Sequence, residues 1–170
     1  MNDRALLRRA AVVGAALALA AGLSGCSVLN SVLGNGGGDA PRNDKAEVTE
    51  SSSIGIFNLK LGDCKMSDSG TTVSDTDVVP CDKPHDEEVF YEFKLEGAEY
   101  DSAAIDKEVE KCAGDAFTTF IGIAFDDSTL DVAYMTPTKD TWDEMNDRLV
   151  QCIVSDPAGQ TTGSLKGSAR

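Results

Sequence analysis

Val89-Phe90-Tyr91-Glu92-Phe93-Lys94-Leu95, closed by Gly97 and followed by Asp101-Ser102-Ala103-Ala104-Ile105 and the run to Phe120-Ile121-Gly122, is the stretch that decides the fold. In its first half Val89, Tyr91, Phe93 and Leu95 alternate with Phe90, Glu92 and Lys94, the two-residue period of a strand with one buried face and one mostly wet face. In its second half Asp101 is placed to accept hydrogen bonds from the free amides of a first helical turn, with Tyr100 and Ile105 set as a hydrophobic staple. Ile105, Val109, Cys112, Ala113, Ala116, Phe117 and Phe120 then recur at intervals of three and four, while Asp106, Lys107, Glu110 and Lys111 face water. This is an amphipathic helix ending near Gly122. A strand and a helix with one apolar side each must cover one another.

On the N-terminal side of this pair, Ile54 to Leu61 and Thr71 to Val79 read as strands bounded by Gly62-Asp63, Gly70 and Pro80. On the C-terminal side Leu130, Val132 and Tyr134 form a short alternating run. Pro137 to Arg148 is a polar connection with room for a helical turn, and Leu149 to Val154 is a last strand with Val150, Cys152 and Val154 on one face. The expected fold is α+β: a small, mostly antiparallel sheet with one principal amphipathic helix packed on one face, over residues 54–156. Residues 157–170, rich in Gly, Ser and Thr, read as a loosely ordered tail.

The chain begins with an address. Arg4, Arg8 and Arg9 precede an apolar run from Ala10 to Leu23, about 14 residues long and short of the roughly 20 that span a bilayer. Leu23-Ser24-Gly25-Cys26 follows, which resembles the lipobox of bacterial lipoproteins; that resemblance implies cleavage after Gly25 and a diacylglyceryl group on Cys26. Residues 1–25 are then a signal peptide, and 26–53, with Gly34-Asn35-Gly36-Gly37-Gly38 and Ser51-Ser52-Ser53, a flexible tether. Two acyl chains hold a protein stably at a membrane where one does so only marginally. The expected location is the extracytoplasmic side of a cell membrane, lipid-anchored through Cys26. Arg8-Arg9 leaves twin-arginine export open beside the general route.

Four cysteines remain, Cys64, Cys81, Cys112 and Cys152, an even set in an exported chain, which reads as disulfides and not as metal ligands. Of the three possible pairings Cys64–Cys81 closes a turn-rich loop, and Cys112–Cys152 joins the apolar face of the helix to that of the last strand. With no C-x-x-C pair and a lone histidine, His85, a zinc site is not expected, nor any other cofactor. The balance of 15 basic against 29 acidic residues gives a formal charge of −14. Such a chain is a poor ligand for nucleic acid, whose phosphates are neutralised by Lys and Arg.

The run Cys81-Asp82-Lys83-Pro84-His85-Asp86-Glu87-Glu88-Val89 surrounds His85 with acids, which favours a protonated, pH-responsive ion pair. In the plainer reading His85 and Asp82 satisfy backbone groups in the turn that positions the Cys64–Cys81 bridge. Together with Gly62-Asp63-Cys64, Cys112 before Phe117, Phe120 and Gly122, Pro137-Thr138 with Trp142, Asp147-Arg148 before Cys152, and Gly163-Ser164-Leu165-Lys166-Gly167, this run resembles the actinobacterial septum formation family of exported proteins. Asn146 stands where that family often carries glycine. The resemblance implies an envelope domain linked to division, with no reaction attached.

No G-x-S-x-G element occurs, and Glu87-Glu88 and Asp126-Asp127 read as solvated charge. The expectation is therefore a non-enzymatic binding module, its candidate binding residues Asp82, His85, Glu88, Trp142 and Arg148. Its expected partner is an envelope protein or cell-wall component. A small-ligand or cation carrier and a peptidoglycan-modifying enzyme are the rivals. For the anchor, Cys26→Ala is expected to leave the precursor uncleaved after Gly25 and unlabelled by radioactive fatty acid, whereas unchanged labelling contradicts it.

Overall fold

The structure is a computed structural model that describes residues 38–69 and 73–170. The signal peptide, Cys26 and the first part of the tether lie outside the described residues.

Among the described residues six strands form one sheet: β1 (Ser52–Gly55), β2 (Cys64–Lys65), β3 (Asp75–Val79), β4 (Glu87–Lys94), β5 (Asp131–Met135) and β6 (Leu149–Ser155). Their order is β1-β3-β2-β4-β6-β5, and every neighbouring pair is antiparallel. The expected first strand runs only from Ser52 to Gly55, because Ile56–Asn58 winds into a 3-10 turn. Among the described residues there are three α-helices, α1 (Ser102–Glu108), α2 (Asp115–Ile121) and α3 (Lys139–Met145); the first two divide the one helix expected, and α3 lies in the expected polar connection. Asp101 caps α1, its carboxylate accepting from the amides of Ala103 and Ala104 at 3.0 and 3.2 Å.

The stripe from Ile105 to Phe120 is thus real but not one regular helix. Between α1 and α2 the chain tightens into a 3-10 segment, Val109–Ala113, and Gly114 leaves helical geometry at φ −93°, ψ −138°. Glycine, which tolerates such backbone, lets the apolar stripe step from one helix to the next. Cys112 sits inside the tight segment and is bonded to Cys152 on β6, with Cα atoms 5.4 Å apart. The other bridge is Cys64–Cys81, at 5.2 Å, so both expected pairings hold.

Strand β4 departs from strict alternation in an informative way. A bulge lies between Val89, which pairs with Ile153, and Tyr91, which pairs with Cys152. The extra residue turns Phe90 inward and splits the expected face. Val89 joins a cluster with Ala40, Val48, Ile54, Leu59, Val78 and Ile153 on one side of the sheet. Phe90 and Leu95 join Val109, Cys112, Phe117, Ile121, Val150, Cys152 and Val154 on the other, under the helices. Phe90 meets Phe117 edge-on with ring centres 6.0 Å apart, and Phe117 meets Phe125 likewise at 5.3 Å. Tyr91, expected inside, is 36% exposed.

Two boundaries need correction. Part of the expected tether belongs to the domain: Ala40 and Val48 are buried, Arg42 and Val48 form a bridge across a turn, and Ser52 and Ser53 are strand residues. The expected loose tail is also packed. Leu165 lies in the helix-side core at 4% exposure, and the amides of Gly167 and Ala169 donate to the carbonyls of Phe120 and Ile121 at 2.8 and 2.9 Å. A helix end leaves carbonyls without intrahelical partners, and here the tail supplies donors for two of them. Composition points to a coil because Gly, Ser and Thr bury little apolar area, but one leucine and two amides fix this segment.

The tail is also closed by charge. Arg170 pairs with Asp156, whose carboxyl is held below its ordinary value first by the Ala158 amide and then by the Arg170 guanidinium. A lowered value means that the contribution is complete above about pH 4 and is lost as pH falls through the lowered value. Asp156→Asn is therefore expected to lower the melting temperature at pH 7 more than at pH 3; equal losses at both, read by thermal melts, contradict the assignment.

Candidate functional site

The polar centre of the molecule is built around β2. Cys64 and Lys65 pair with Val79 and Val78 on one side and with Glu88 and Glu87 on the other, so the short strand is walled in by β3 and β4. Gly62, at φ +87°, makes the left-handed turn that delivers Asp63 and Cys64 into the interior. On the facing side Pro80 to Lys83 forms a turn closed by the Lys83 amide on the Pro80 carbonyl at 2.9 Å, and this turn presents Cys81 to Cys64.

Four polar side chains around this bridge are buried: Asp63, Lys65, His85 and Glu88, all at 2% exposure or less. Burying charge is costly unless each group is paired. Asp63 is held by both terminal nitrogens of Arg42, at 2.5 and 2.8 Å, and by the Lys60 amide at 2.9 Å. The hydrogen bonds from Arg42 to Asp63 hold that guanidinium above its ordinary value. Lys65 places its ammonium on Glu87 at 2.6 Å, Asp68 at 2.8 Å and the Met66 carbonyl at 2.8 Å, using all three donors. Glu88 accepts from the Ser164 hydroxyl at 2.6 Å and the Leu165 amide at 2.8 Å. Glu87 and Glu88, adjacent in sequence, thus serve opposite faces of β4.

His85 is clamped by the tail. Its amide and carbonyl exchange hydrogen bonds with Thr161 at 3.0 and 2.9 Å. Its Nδ1 donates to the Lys83 carbonyl at 2.8 Å, and Nε2 faces the Thr161 hydroxyl at 3.2 Å. The ring nitrogens of His85 bond these neutral partners in place of the expected ion pair: β4 carries Glu87 to Lys65, Asp86 bonds the Ser67 amide, and the Glu88 carboxylate, within 4.8 Å of a ring nitrogen, accepts from Ser164 and Leu165. The plainer reading of the turn holds for His85. Asp82, by contrast, is out in solvent with its side chain 77% exposed, beside Lys83 and across the bridge from Leu61, which is 56% exposed.

Trp142 and Arg148 form a second, separate unit. The Arg148 guanidinium lies 3.5 Å from the centre of the Trp142 ring and donates to the carbonyls of Trp142 and Asp147 at 3.0 and 2.7 Å. Trp142 itself is buried, its Nε1 donating to the Ala98 carbonyl at 3.2 Å and its ring meeting Tyr100 edge-on. Asn146 takes the left-handed conformation at φ 53°, ψ 34°, as an asparagine standing for glycine can. The tryptophan is a core residue; of the two, Arg148 borders the recess there, together with Lys94, Asn146, Asp147 and Leu149.

The fold therefore brings His85 and Glu88 together, leaves Asp82 on the rim, and sets Trp142 with Arg148 apart. The polar centre also recruits residues that sequence reading missed: Arg42, Asp63, Lys65, Thr161 and Ser164. One signal for the tail was present, since Gly163-Ser164-Leu165-Lys166-Gly167 is among the stretches that carry the resemblance noted in the sequence.

A profile of the septum formation family matches residues 61–170, nearly two thirds of the chain, and the protein belongs to that family. Its class is thus an α+β, doubly disulfide-bonded domain tied by family to septum formation and the cell envelope. No curated protein and no solved structure matches the chain. Among the described residues no helix is long and apolar enough to cross a membrane.

Arg42 is the most exposed of these dependencies to a direct check. Removing it leaves the Asp63 carboxylate buried without a counter-charge, and breaking a buried pair in this way costs about 3–5 kcal/mol. Arg42→Ala is expected to lower unfolding stability by about that amount in urea titrations, while Lys45→Ala, an exposed neighbour, is expected to change it little.

Proposed function

We propose that this protein is a lipid-anchored, extracytoplasmic interaction module of the cell envelope that binds an envelope protein or cell-wall component during septum formation and catalyses no reaction. The observation that carries this reading is where the reactive groups lie. His85 and Glu88, the pair best suited to acid–base work, are buried and spend their hydrogen bonds on Lys83, Thr161, Ser164 and Leu165 of the same chain. What faces solvent beside them is the double turn carrying Leu61, Asp82 and Lys83, rigidly held by the Cys64–Cys81 bond.

A rigid rim that mixes one apolar side chain with charge suits docking, since little entropy is lost when it is covered. The N-terminal lipobox and the apolar run before it support the anchor and the outer side of the membrane. The Asp82 turn stands for the whole Asp82–Glu88 run as the contact surface, because His85 and Glu88 are buried and Asp86 and Glu87 are bonded to the Ser67 amide and the Lys65 ammonium.

The test is position-specific. Photo-crosslinking residues at Leu61 and Asp82 in the full-length protein of dividing cells are expected to capture one envelope component, and the same group at Asp140 is expected not to. Identical products from all three positions defeat the reading. Turnover of wall fragments that disappears with Glu88→Gln favours the enzyme instead, and a calcium-dependent rise in melting temperature favours a cation carrier.

A further inference from the structure

We propose that Cys64, Cys81, His85 and Glu88 form a zinc site when the Cys64–Cys81 bond is reduced, so that this corner of the fold is stapled either by a disulfide or by a metal ion. Cysteine spacing gives no hint of it, and the fold supplies what the spacing lacks. The sulfur of Cys64, a ring nitrogen of His85 and a carboxylate oxygen of Glu88 lie within 4.8 Å of one another, and all three residues are buried. Cys81 provides a fourth donor, since its sulfur is bonded to that of Cys64.

Zinc held tetrahedrally at about 2.0–2.3 Å keeps its donors about 3.3–3.8 Å apart, so Cys64, His85 and Glu88 close by about 1 Å while the Cys81 sulfur draws away from that of Cys64 once the bond between them is broken. Two thiolates, an imidazole and a carboxylate are a donor set that zinc accepts. The surroundings already have the form of an outer shell. The Lys83 carbonyl at 2.8 Å from Nδ1 fixes the His85 ring and leaves Nε2 with its lone pair, as a backbone carbonyl does behind many metal-bound histidines. The Thr161 hydroxyl faces Nε2 at 3.2 Å, and a metal bound to that nitrogen takes its place. Each Glu88 oxygen accepts a single hydrogen bond, from Ser164 or Leu165, and retains a lone pair for a metal.

The two disulfides differ in access. Cys112 and Cys152 are both at 0% exposure, whereas Cys81 is half-buried at the rim. A water-soluble phosphine attacks the Cys81 sulfur, the S–S bond breaks to release the Cys64 thiolate, and water converts the thiophosphonium to phosphine oxide and the Cys81 thiol. The disulfide gains two electrons and the phosphine loses two. Zinc then replaces the two thiol protons, which pass to solvent.

The experiment uses the full chain carrying Cys26→Ser, which removes the stray thiol. The protein is reduced with tris(2-carboxyethyl)phosphine, desalted, shown by alkylation and mass spectrometry to retain Cys112–Cys152, and titrated with zinc. One zinc ion per reduced chain, none in the oxidised chain, and a zinc-dependent rise in melting temperature are expected. His85→Ala and Glu88→Gln are each expected to weaken binding at least about tenfold, and Cys64→Ser with Cys81→Ser to abolish it. No zinc uptake by the reduced chain overturns the proposal, as does uptake that survives the double cysteine change or is unaffected by both other changes. Should reduction alone unfold the domain, recovery of its circular dichroism on adding zinc supports the site, and failure to recover overturns it.

Discussion

Charge buried beside the Cys64–Cys81 bridge is the constraint on which the rest of this structure depends. Asp63, Lys65 and, across the sheet, Glu88 sit on or beside β2, in a region where an unpaired charge costs several kcal/mol. Each draws its partner from a different part of the chain. Arg42 comes from the N-terminal arm to Asp63, Glu87 and Asp68 close on Lys65, and Ser164 with Leu165 comes from the C-terminal end to Glu88. The ends of the domain are thus ordered by the need to satisfy its middle. The second bridge does different work, pinning the 3-10 segment between α1 and α2 onto β6 in an otherwise apolar core.

This arrangement also shapes the functional reading. The groups with the most reactive chemistry are turned inward and bonded to the chain, and the proposed interaction role rests on that. The rim beside them is rigid, small and partly apolar, the character of a contact surface. The same inward convergence gives the bridge an alternative: thiols freed there would stand next to an oriented imidazole and a carboxylate, the remaining donors of a metal centre. Docking at the rim and metal at the bridge rest on separate observations, and either stands without the other.

Much of the fold was legible because it follows from local period and chemistry. The stripe from Ile105 to Phe120 gave the helices, the Asp101 cap was readable from its place before that stripe, and the pairing of the cysteines followed from which faces had to meet. The inward turn of Phe90 was not legible, because a bulge changes register without changing composition. Nor were the boundaries. A segment rich in Gly, Ser and Thr looks like coil when only its own residues are counted, yet its Leu165 fills a core position and its backbone completes α2. In the candidate site, the turn role of His85 was readable from Pro84 and the cysteines. The partners of Glu88 and Asp63 were not, since they stand 76 and 21 residues away.

By itself the sequence determined the α+β class, the two bridges, the family and the acidic character, because these depend on periodicity, parity and residue type along the chain. Only the tertiary structure decided which charges are buried, which ends are fixed, and which of the residues around Cys81 face solvent. Those outcomes depend on who stands opposite whom across the sheet, and burial is a property of the assembled neighbours, not of the residue that is buried.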